Sequence, residues 1–391
     1  MRHVVVTGLG AVSPFGAGVK AYWAGLAAGA CAIRPLTLFE SDGFRCRIAA
    51  EVPELTAGSP RRSRADRLAL GAALEAIDDA GLADADRAET ALMVGAVGGG
   101  MLEAEEWYWA RARGEHSAPG AALRAILPGS HAETLGHRLG LGGPRHTVVT
   151  ACSSGAVALA EAAELIADGV VDMAVAGGVD GMTRMCFMGF NTLKLLDPEP
   201  CRPFDKDRRG MSIGEGAAFV VLEAAERARA RGARIYAELA GHGMTTDAFH
   251  VTAPEPEGEG MARAMRAALA AAGVTAGAVG YVNAHGTATP QNDRIEARAI
   301  AQVFGEGRVL VSSTKSMIGH TMAAAGGLEA VATVLTLTQE LIPPTATLVT
   351  PDPELTFDCV PRVAREAAVE CAISNSFGFG GQNVTLLFRR A

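Results

Sequence analysis

The residues of this sequence best suited to chemistry are one cysteine and two histidines, each set among small side chains. Cys152 lies in Thr150-Ala-Cys-Ser-Ser-Gly-Ala156, between a strand-like run, His146 to Thr150, and a helix-like run from about Gly155 to Ala167. A thiol that a strand delivers to a helix N-terminus faces the positive end of the helix dipole, which favours thiolate and makes a nucleophile. A cysteine beside Ala and Ser is also the pattern of a buried, inert residue, so this segment alone decides nothing. The histidines change that. Asn283-Ala-His285-Gly-Thr-Ala-Thr-Pro-Gln-Asn-Asp293 and Ser313-Thr-Lys315-Ser-Met-Ile-Gly-His320 each place a histidine on a loop past a strand end, the second beside a lysine. Two such histidines and a cysteine on one rim are hard to explain by packing, and they read as a nucleophile with polar helpers. Zinc is the rival reading. No close His/Cys spacing supports it, and no metal is expected.

The elements that would position these residues recur twice. Arg67 to Leu82 is an alanine-rich amphipathic helix ending in Ala-Gly-Leu, followed by a strand-like Ala91-Leu-Met-Val-Gly95. Met261 to Val274 repeats the pattern and leads to the strand and glycine turn of Val279 to Gly286. The strand and helix around Cys152 are matched by Val309 to Ser312 and a helix near Ala323 to Leu337. Each half then closes on a glycine turn and a strand, Gly214 to Glu223 and Gly378 to Phe388. Two strand–helix units joined near Arg227 to Arg234 predict parallel sheets covered by helices, with the site at strand ends where the copies meet.

Composition narrows the function. Of 391 residues 49% are hydrophobic and 20% charged, and the net charge of −8 argues against nucleic acid or an anionic membrane as partner. The seven cysteines include no CxxC pair, so neither a disulfide framework nor a zinc site is expected. Met1 to Gly8 reads as a first strand, not a signal peptide, and charges such as Glu161 and Glu329 interrupt the apolar stretches before any reaches membrane-spanning length. A reduced, cytoplasmic protein is expected.

Taken in order, Thr150-Ala-Cys-Ser-Ser-Gly155, Arg202-Pro-Phe-Asp-Lys-Asp-Arg-Arg-Gly210, Gly214-Glu-Gly216, His285-Gly-Thr-Ala-Thr-Pro290, Ser313 to His320, Ala323-Ala-Ala-Gly-Gly-Leu-Glu329 and Asn375-Ser-Phe-Gly-Phe-Gly-Gly381 span the chain. This series resembles the β-ketoacyl-[acyl-carrier-protein] synthases of the elongating, Cys-His-His type. The resemblance implies an α/β, thiolase-like fold: duplicated βαβαβαββ halves, 1–231 and 232–391, in a layered α-β-α-β-α body. It implies Cys152 as acyl acceptor, with His285 and His320 promoting malonyl decarboxylation and Lys315 and Glu329 as a supporting charge pair. Thr287 and Thr289 match positions that hold the pantetheine arm, Phe377 belongs to the substrate-binding set, and Phe379 matches a gating phenylalanine. The backbone N–H of Phe379 and that of Cys152 would form an oxyanion hole. No cofactor is implied beyond the phosphopantetheine of the carrier protein.

Gln382 stands where the family commonly has Thr, Ala288 where it has Ser or Gly, and Ser153 follows the cysteine. These leave the chemistry intact and the subfamily open. A thiolase would need a second cysteine in the C-terminal glycine loop, where there is none, since Cys371 lies upstream. An initiating synthase would show Asn at His320, and a chain-length-factor subunit would have lost Cys152. Elongation remains, in fatty-acid synthesis or in a polyketide or polyene pathway. The expected partners are an acyl carrier protein and a second copy in a homodimer, with a heterodimer containing a non-catalytic ketosynthase-like subunit as the variant. Arg61, Arg62, Arg64 and Arg67 form one candidate carrier-binding cluster and Arg202, Lys206, Arg208 and Arg209 another; internal ion pairs are the competing reading. Trp107, Trp109, Met182, Met185 and Phe187 fall in regions that line the acyl pocket and dimer interface in this family, or are ordinary core. Two patterns mislead: Gly210-Met-Ser212-Ile-Gly214 lacks the strand-then-helix setting of a nucleophile elbow, and Gly8-Leu-Gly10 lacks the third glycine of a dinucleotide loop and reads as a turn.

Overall fold

The computed structural model describes residues 2–53, 62–115 and 121–391. Ten principal strands are β1 (Val4–Ser13), β2 (Ala91–Ala96), β3 (Arg145–Val148), β4 (Met173–Asp180), β5 (Gly216–Ala224), β6 (Ala237–Thr246), β7 (Tyr281–Asn283), β8 (Leu310–Ser312), β9 (Cys371–Gly378) and β10 (Gln382–Arg390). They pair in the order β8-β7-β9-β10-β6-β1-β5-β4-β2-β3. Cut between β6 and β1, where only Val5 and Val6 pair with Glu238 and Ala237, this order is one pattern written twice. Each half has two parallel pairings around its second strand and antiparallel pairings to its fifth. The duplication read from the sequence is therefore present, while the parallel pairing expected holds only around the second strand of each half.

Each sheet buries both faces. Outside the first lie α1 (Arg64–Ala80) and, against it, the helix Gly129–Leu139; outside the second lie the helix Glu259–Ala272 and, against it, Pro290–Phe304. Besides shorter helices and Val19–Ala27, those that frame the site are, in chain order, α2 (Met101–Ala112), α3 (Gly129–Leu139), α4 (Ser154–Ala167), α5 (Arg184–Thr192), α6 (Glu259–Ala272), α7 (Pro290–Phe304) and α8 (Ala325–Gln339). Helices α4 and α8 fill the middle layer between the sheets. Thirteen of the fifteen residues of α8 are buried, the pattern of a helix that is apolar all round because it has no solvent side. Small residues let these backbones touch: a Cβ on Gly155 would lie 2.5 Å from the Ala323 carbonyl oxygen, and one on Gly326 would lie 2.4 Å from the Ala156 nitrogen.

Local signals set the helix limits. Helix α1 starts at Arg64, earlier than its apolar periodicity suggests, because the Ser63 side chain accepts a hydrogen bond from the Asp66 N–H. Gly8 and Gly10 are not in a turn. Both lie inside β1, where a Cβ would meet the carbonyl oxygens of Ala76 and Ala72 at 2.2 and 1.9 Å; they exist so that α1 can press on the strand.

Candidate active site

Strand β3 ends at Val148, and Ala151–Ser153 then make a 3-10 turn that runs into α4. Ala151 sits at φ 50°, a left-handed conformation that costs a non-glycine residue free energy and turns Cys152 off the strand line. Hydroxyls hold the turn: Ser154 Oγ donates to the Ala151 carbonyl at 2.6 Å and accepts the Thr150 N–H at 2.9 Å, while Ser153 Oγ donates to the Thr150 carbonyl at 2.7 Å. The backbone N–H groups of Phe379 and of Cys152 itself bear on the sulfur. The expected thiolate is not the resting state. Burial pushes the Cys152 thiol up to about 11, against the opposing pull of Lys315 and those N–H groups, because an apolar enclosure penalises the charged form more than a helix end rewards it.

His285 lies two residues past β7. Its own N–H and that of Gly286 donate to the two carboxylate oxygens of Glu296, each at 2.8 Å. Ser313 Oγ donates to the Gly286 carbonyl, and Ala288, at φ 68°, donates its N–H to Asp293. His320 follows β8 by way of the short helix Lys315–Ile318, and its N–H donates to the Ser212 carbonyl at 2.7 Å. The two imidazoles meet edge to face, 5.3 Å between centres. Both are buried and held well below the ordinary histidine range, first by desolvation and then by the Lys315 ammonium. Both are therefore neutral. Lys315 Nζ, ion-paired with Glu329, lies 3.5 Å from His285 Nδ1, so that nitrogen accepts and the ring carries its proton on Nε2. Among the described residues neither ring nitrogen of His320 has a hydrogen-bond partner. Burial lifts Glu329 to about 7, with Lys315 opposing.

These groups open on one cavity of about 340 Å³, lined by Cys152, His285, His320, Phe377 and Phe379. Thr287 and Thr289, whose hydroxyls are 3.0 Å apart, line it too. Phe377 packs 6.0 Å from the His285 ring, and Phe379 lies 6.0 Å from Phe190. All the predicted catalytic and substrate-binding residues thus converge: Lys315 and Glu329 stand behind the histidines and the rest face the cavity.

Residues 1–228 match the model of the β-ketoacyl synthase N-terminal domain, and 236–349 match that of its C-terminal domain. The chain belongs to the β-ketoacyl synthase family. Among curated relatives, the 3-oxoacyl-[acyl-carrier-protein] synthase 2 of Rhizobium meliloti is 42% identical, with 100% of this chain and 99% of that protein covered. Among solved structures, the ishigamide ketosynthase/chain length factor superposes with a TM-score of 0.95 at 38% identity, covering 100% of this chain and 99% of that one. A type II polyketide-synthase acyl-carrier protein in complex with its ketosynthase bound to the hexaketide gives 0.91 at 30%, covering 100% and 99%.

In this β-ketoacyl synthase the sequence reading missed the carboxylates that hold the loops. Asp293 and Glu296 sit three apart on the inward face of α7, among Ile295, Ala297 and Ile300, and acids on an apolar stripe were the available signal. Asp180, at the end of β4, accepts the N–H groups of Val97, Gly98 and Gly99 on one oxygen and that of Ala323 on the other, tying the two halves together at the site.

Several sequence expectations move. Trp107, Trp109, Met182, Met185 and Phe187 do not line the cavity; Phe190, Leu195 and Met211 do. Phe187 is instead sealed between the rings of Phe39 and Phe44, and Met185 and Trp109 are exposed. Of the basic residues, Arg64 forks onto the buried Glu215 and donates to the Val52 carbonyl, and Arg208 pairs with Asp352 at 2.5 Å. Both are internal ion pairs, the competing reading: Arg64 meets a fully buried carboxylate, and Arg208, itself nearly buried, meets the partly exposed Asp352. Arg202 and Arg209 reach Glu199, and Arg209 also reaches Asp197. Arg67 is half-buried on α1, Arg62 is half-buried, Lys206 is exposed, and Arg61 lies outside the described residues. Among the described residues no helix is long and apolar enough to cross a membrane.

Proposed function

We propose that the chain condenses an acyl thioester with malonyl-carrier protein, with the residues above in defined roles. The observation that carries this reading is the convergence of a thiol and two neutral imidazoles on one cavity. Cys152 gives up its proton and attacks the acyl thioester, forming acyl-Cys152 and releasing the carrier thiol. Malonyl-carrier protein then binds with its thioester oxygen between the Nε2–H groups of His285 and His320. Loss of carbon dioxide leaves the electron pair on the α-carbon as an enolate, which these donors stabilise. That carbon attacks acyl-Cys152, the N–H groups of Phe379 and Cys152 receive the oxyanion, and collapse expels the Cys152 sulfur and gives β-ketoacyl-carrier protein. Lys315, backed by Glu329, holds the His285 tautomer. Thr287 and Thr289 bind the pantetheine arm beside Phe377, and no other cofactor takes part.

The partners in this reading are an acyl carrier protein, met at Arg62 and Lys206, and a second copy in a homodimer, in the cytoplasm. The halves divide at 231/232, between nucleophile and histidines. A second reading makes the chain the catalytic subunit beside a chain-length factor, in polyketide or polyene synthesis, and the 0.95 superposition on a ketosynthase/chain length factor favours weighing it. Mass spectrometry of the protein with a panel of acyl-carrier thioesters and malonyl-carrier protein tests the function. Acyl groups on Cys152 and β-ketoacyl products support it, and an unmodified Cys152 with every thioester sinks it. Sedimentation and co-purification separate homodimer from heterodimer.

A further inference from the structure

Besides the two threonines, the cavity is bounded by Thr252, Ala253 and Pro254. They belong to residues 247–255, which link β6 towards α6 outside any helix or strand and begin under strain, with Ala248 at φ 52°. Three sets of contacts hold this segment. The Asp247 carboxylate accepts from Asn383 Nδ2 at 2.6 Å and from the Glu255 N–H at 3.1 Å, fixing its ends. The Val251 carbonyl accepts the Gly380 N–H at 2.8 Å, one residue from Phe379. Between them, His250 Nδ1 accepts the N–H groups of both Thr252 and Ala253, each at 3.1 Å.

One lone pair therefore orders two successive amides of residues that line the cavity, while the His250 ring itself is exposed and outside the lining. Protonation at Nδ1 would replace that lone pair with a third donor and break both bonds. The charged groups of the neighbouring elements are engaged elsewhere: Asp247 as described, Glu255 with the N–H groups of Glu257 and Glu259, Glu257 with Arg298, and Arg263 with the Thr246 carbonyl. Among the described residues none forms an ion pair with the ring.

We infer that His250 is a positioning residue for thioester binding: unprotonated, it fixes Thr252 to Pro254 at the cavity, and protonated it releases them. This rests on the function proposed above. Its effect falls on KM and not on the chemical step, because the ring touches no reacting atom. Asparagine is the informative replacement, since its side-chain oxygen can accept the same pair of N–H groups, as in an Asx turn, and does not titrate.

The test is initial-rate acylation of Cys152 by a soluble acyl-pantetheine thioester, followed by mass spectrometry from pH 5.5 to 8 in native protein, His250→Ala and His250→Asn. Thermal melting confirms that each variant is folded. Dividing the native KM by that of His250→Asn at each pH cancels the ionisation of Cys152. That ratio should be near one at pH 8 and rise roughly fivefold by pH 5.5, the scale of one net hydrogen bond. His250→Ala should show the raised KM at every pH. A ratio that stays flat, or a folded His250→Ala with native KM at pH 8, overturns the inference while the functional reading stands. Native protein that loads at no pH overturns that reading and the inference with it.

Discussion

The two halves present the same device at the site and use it differently. In the first, β3 leads through a turn with Ala151 at φ 50° to Cys152 and the buried helix α4. In the second, β8 leads to a turn with Met322 at φ 55°, then Ala323 and the buried helix α8. Cys152 and Ala323 are therefore counterparts, each the middle residue of a 3-10 turn. Ala323 keeps only the backbone role, its N–H on Asp180 and its carbonyl against Gly155. What the second half adds lies between strand and turn, where residues 313–321 carry Lys315 and His320 and the first half has only 149–150. Duplication supplied one geometry; the nucleophile differs from its counterpart by one side chain, Lys315 and His320 lie on one longer loop, and His285 stands on the separate loop after β7.

The sharpest way to break this division is to silence each half separately. Cys152→Gln should abolish condensation while carbon dioxide release from malonyl-carrier protein stays at or above the native rate, because the amide imitates an acylated cysteine. His285→Ala or His320→Ala should do the reverse: acyl loading survives and decarboxylation falls roughly 100-fold or more, the scale of losing a positioned catalytic donor. Lys315→Ala should follow the histidine changes in milder form. Release of labelled bicarbonate, measured beside the mass of the acyl-enzyme, reads both. If Cys152→Gln and His320→Ala lost both half-reactions equally while folded, the division of labour would be wrong.

A second contrast concerns two buried ion pairs, Lys315–Glu329 in the later half and Arg64–Glu215 in the earlier. Arg64→Ala should lower unfolding free energy by about 3 kcal/mol, since it strands a buried carboxylate. The decarboxylation rate of the protein that remains folded should be native, whereas Lys315→Ala alters both; a catalytic defect in Arg64→Ala would erase the contrast.

Protonation separates the halves further. With its thiol raised to about 11, Cys152 in the free protein should react with iodoacetamide about tenfold faster per pH unit from 7 to 10, and a plateau near pH 8 would restore the thiolate. The histidines titrate the other way. Their folded values are depressed, so the stability they contribute is present above about pH 6.5 and lost as pH falls, when the unfolded chain takes protons the fold refuses. Glu296 and Glu329, raised to about 7, act with opposite sign, contributing below about pH 4.3 and losing that as pH rises through 7. The loss between pH 7 and 5 in urea midpoint should therefore be smaller in His320→Ala than in the native chain. The smallest effect belongs to the surface: Arg62→Glu or Lys206→Glu should raise KM for carrier-bound substrate a few-fold, more at low salt, with the melting temperature unchanged.

Much of this was readable from local pattern. The repeated strand–helix units, the three reacting side chains and the lysine beside His320 follow from periodicity and short motifs, which encode neighbours in sequence. The rest depends on what a residue meets across the fold. Arg64 and Arg208 look like surface cations until Glu215 and Asp352 arrive from 151 and 144 residues away. The Cys152 thiol looks activated until its enclosure is counted. Phe187 and Phe190 share one helix, and only tertiary packing decides that the first is sealed between aromatic rings while the second lines the cavity.

The middle layer bears on how the chain is made. By Ala224 all five strands of the first sheet have been synthesised, yet the face of α4 that meets α8 waits for residues 323–327. At roughly 5–20 residues per second, a nascent chain spends on the order of ten seconds with that glycine- and alanine-rich face bare on the ribosome. Asp180 spends the same interval without the Ala323 N–H. The first half alone thus leaves that face uncovered, and a chain truncated at residue 231 should be recovered in aggregates.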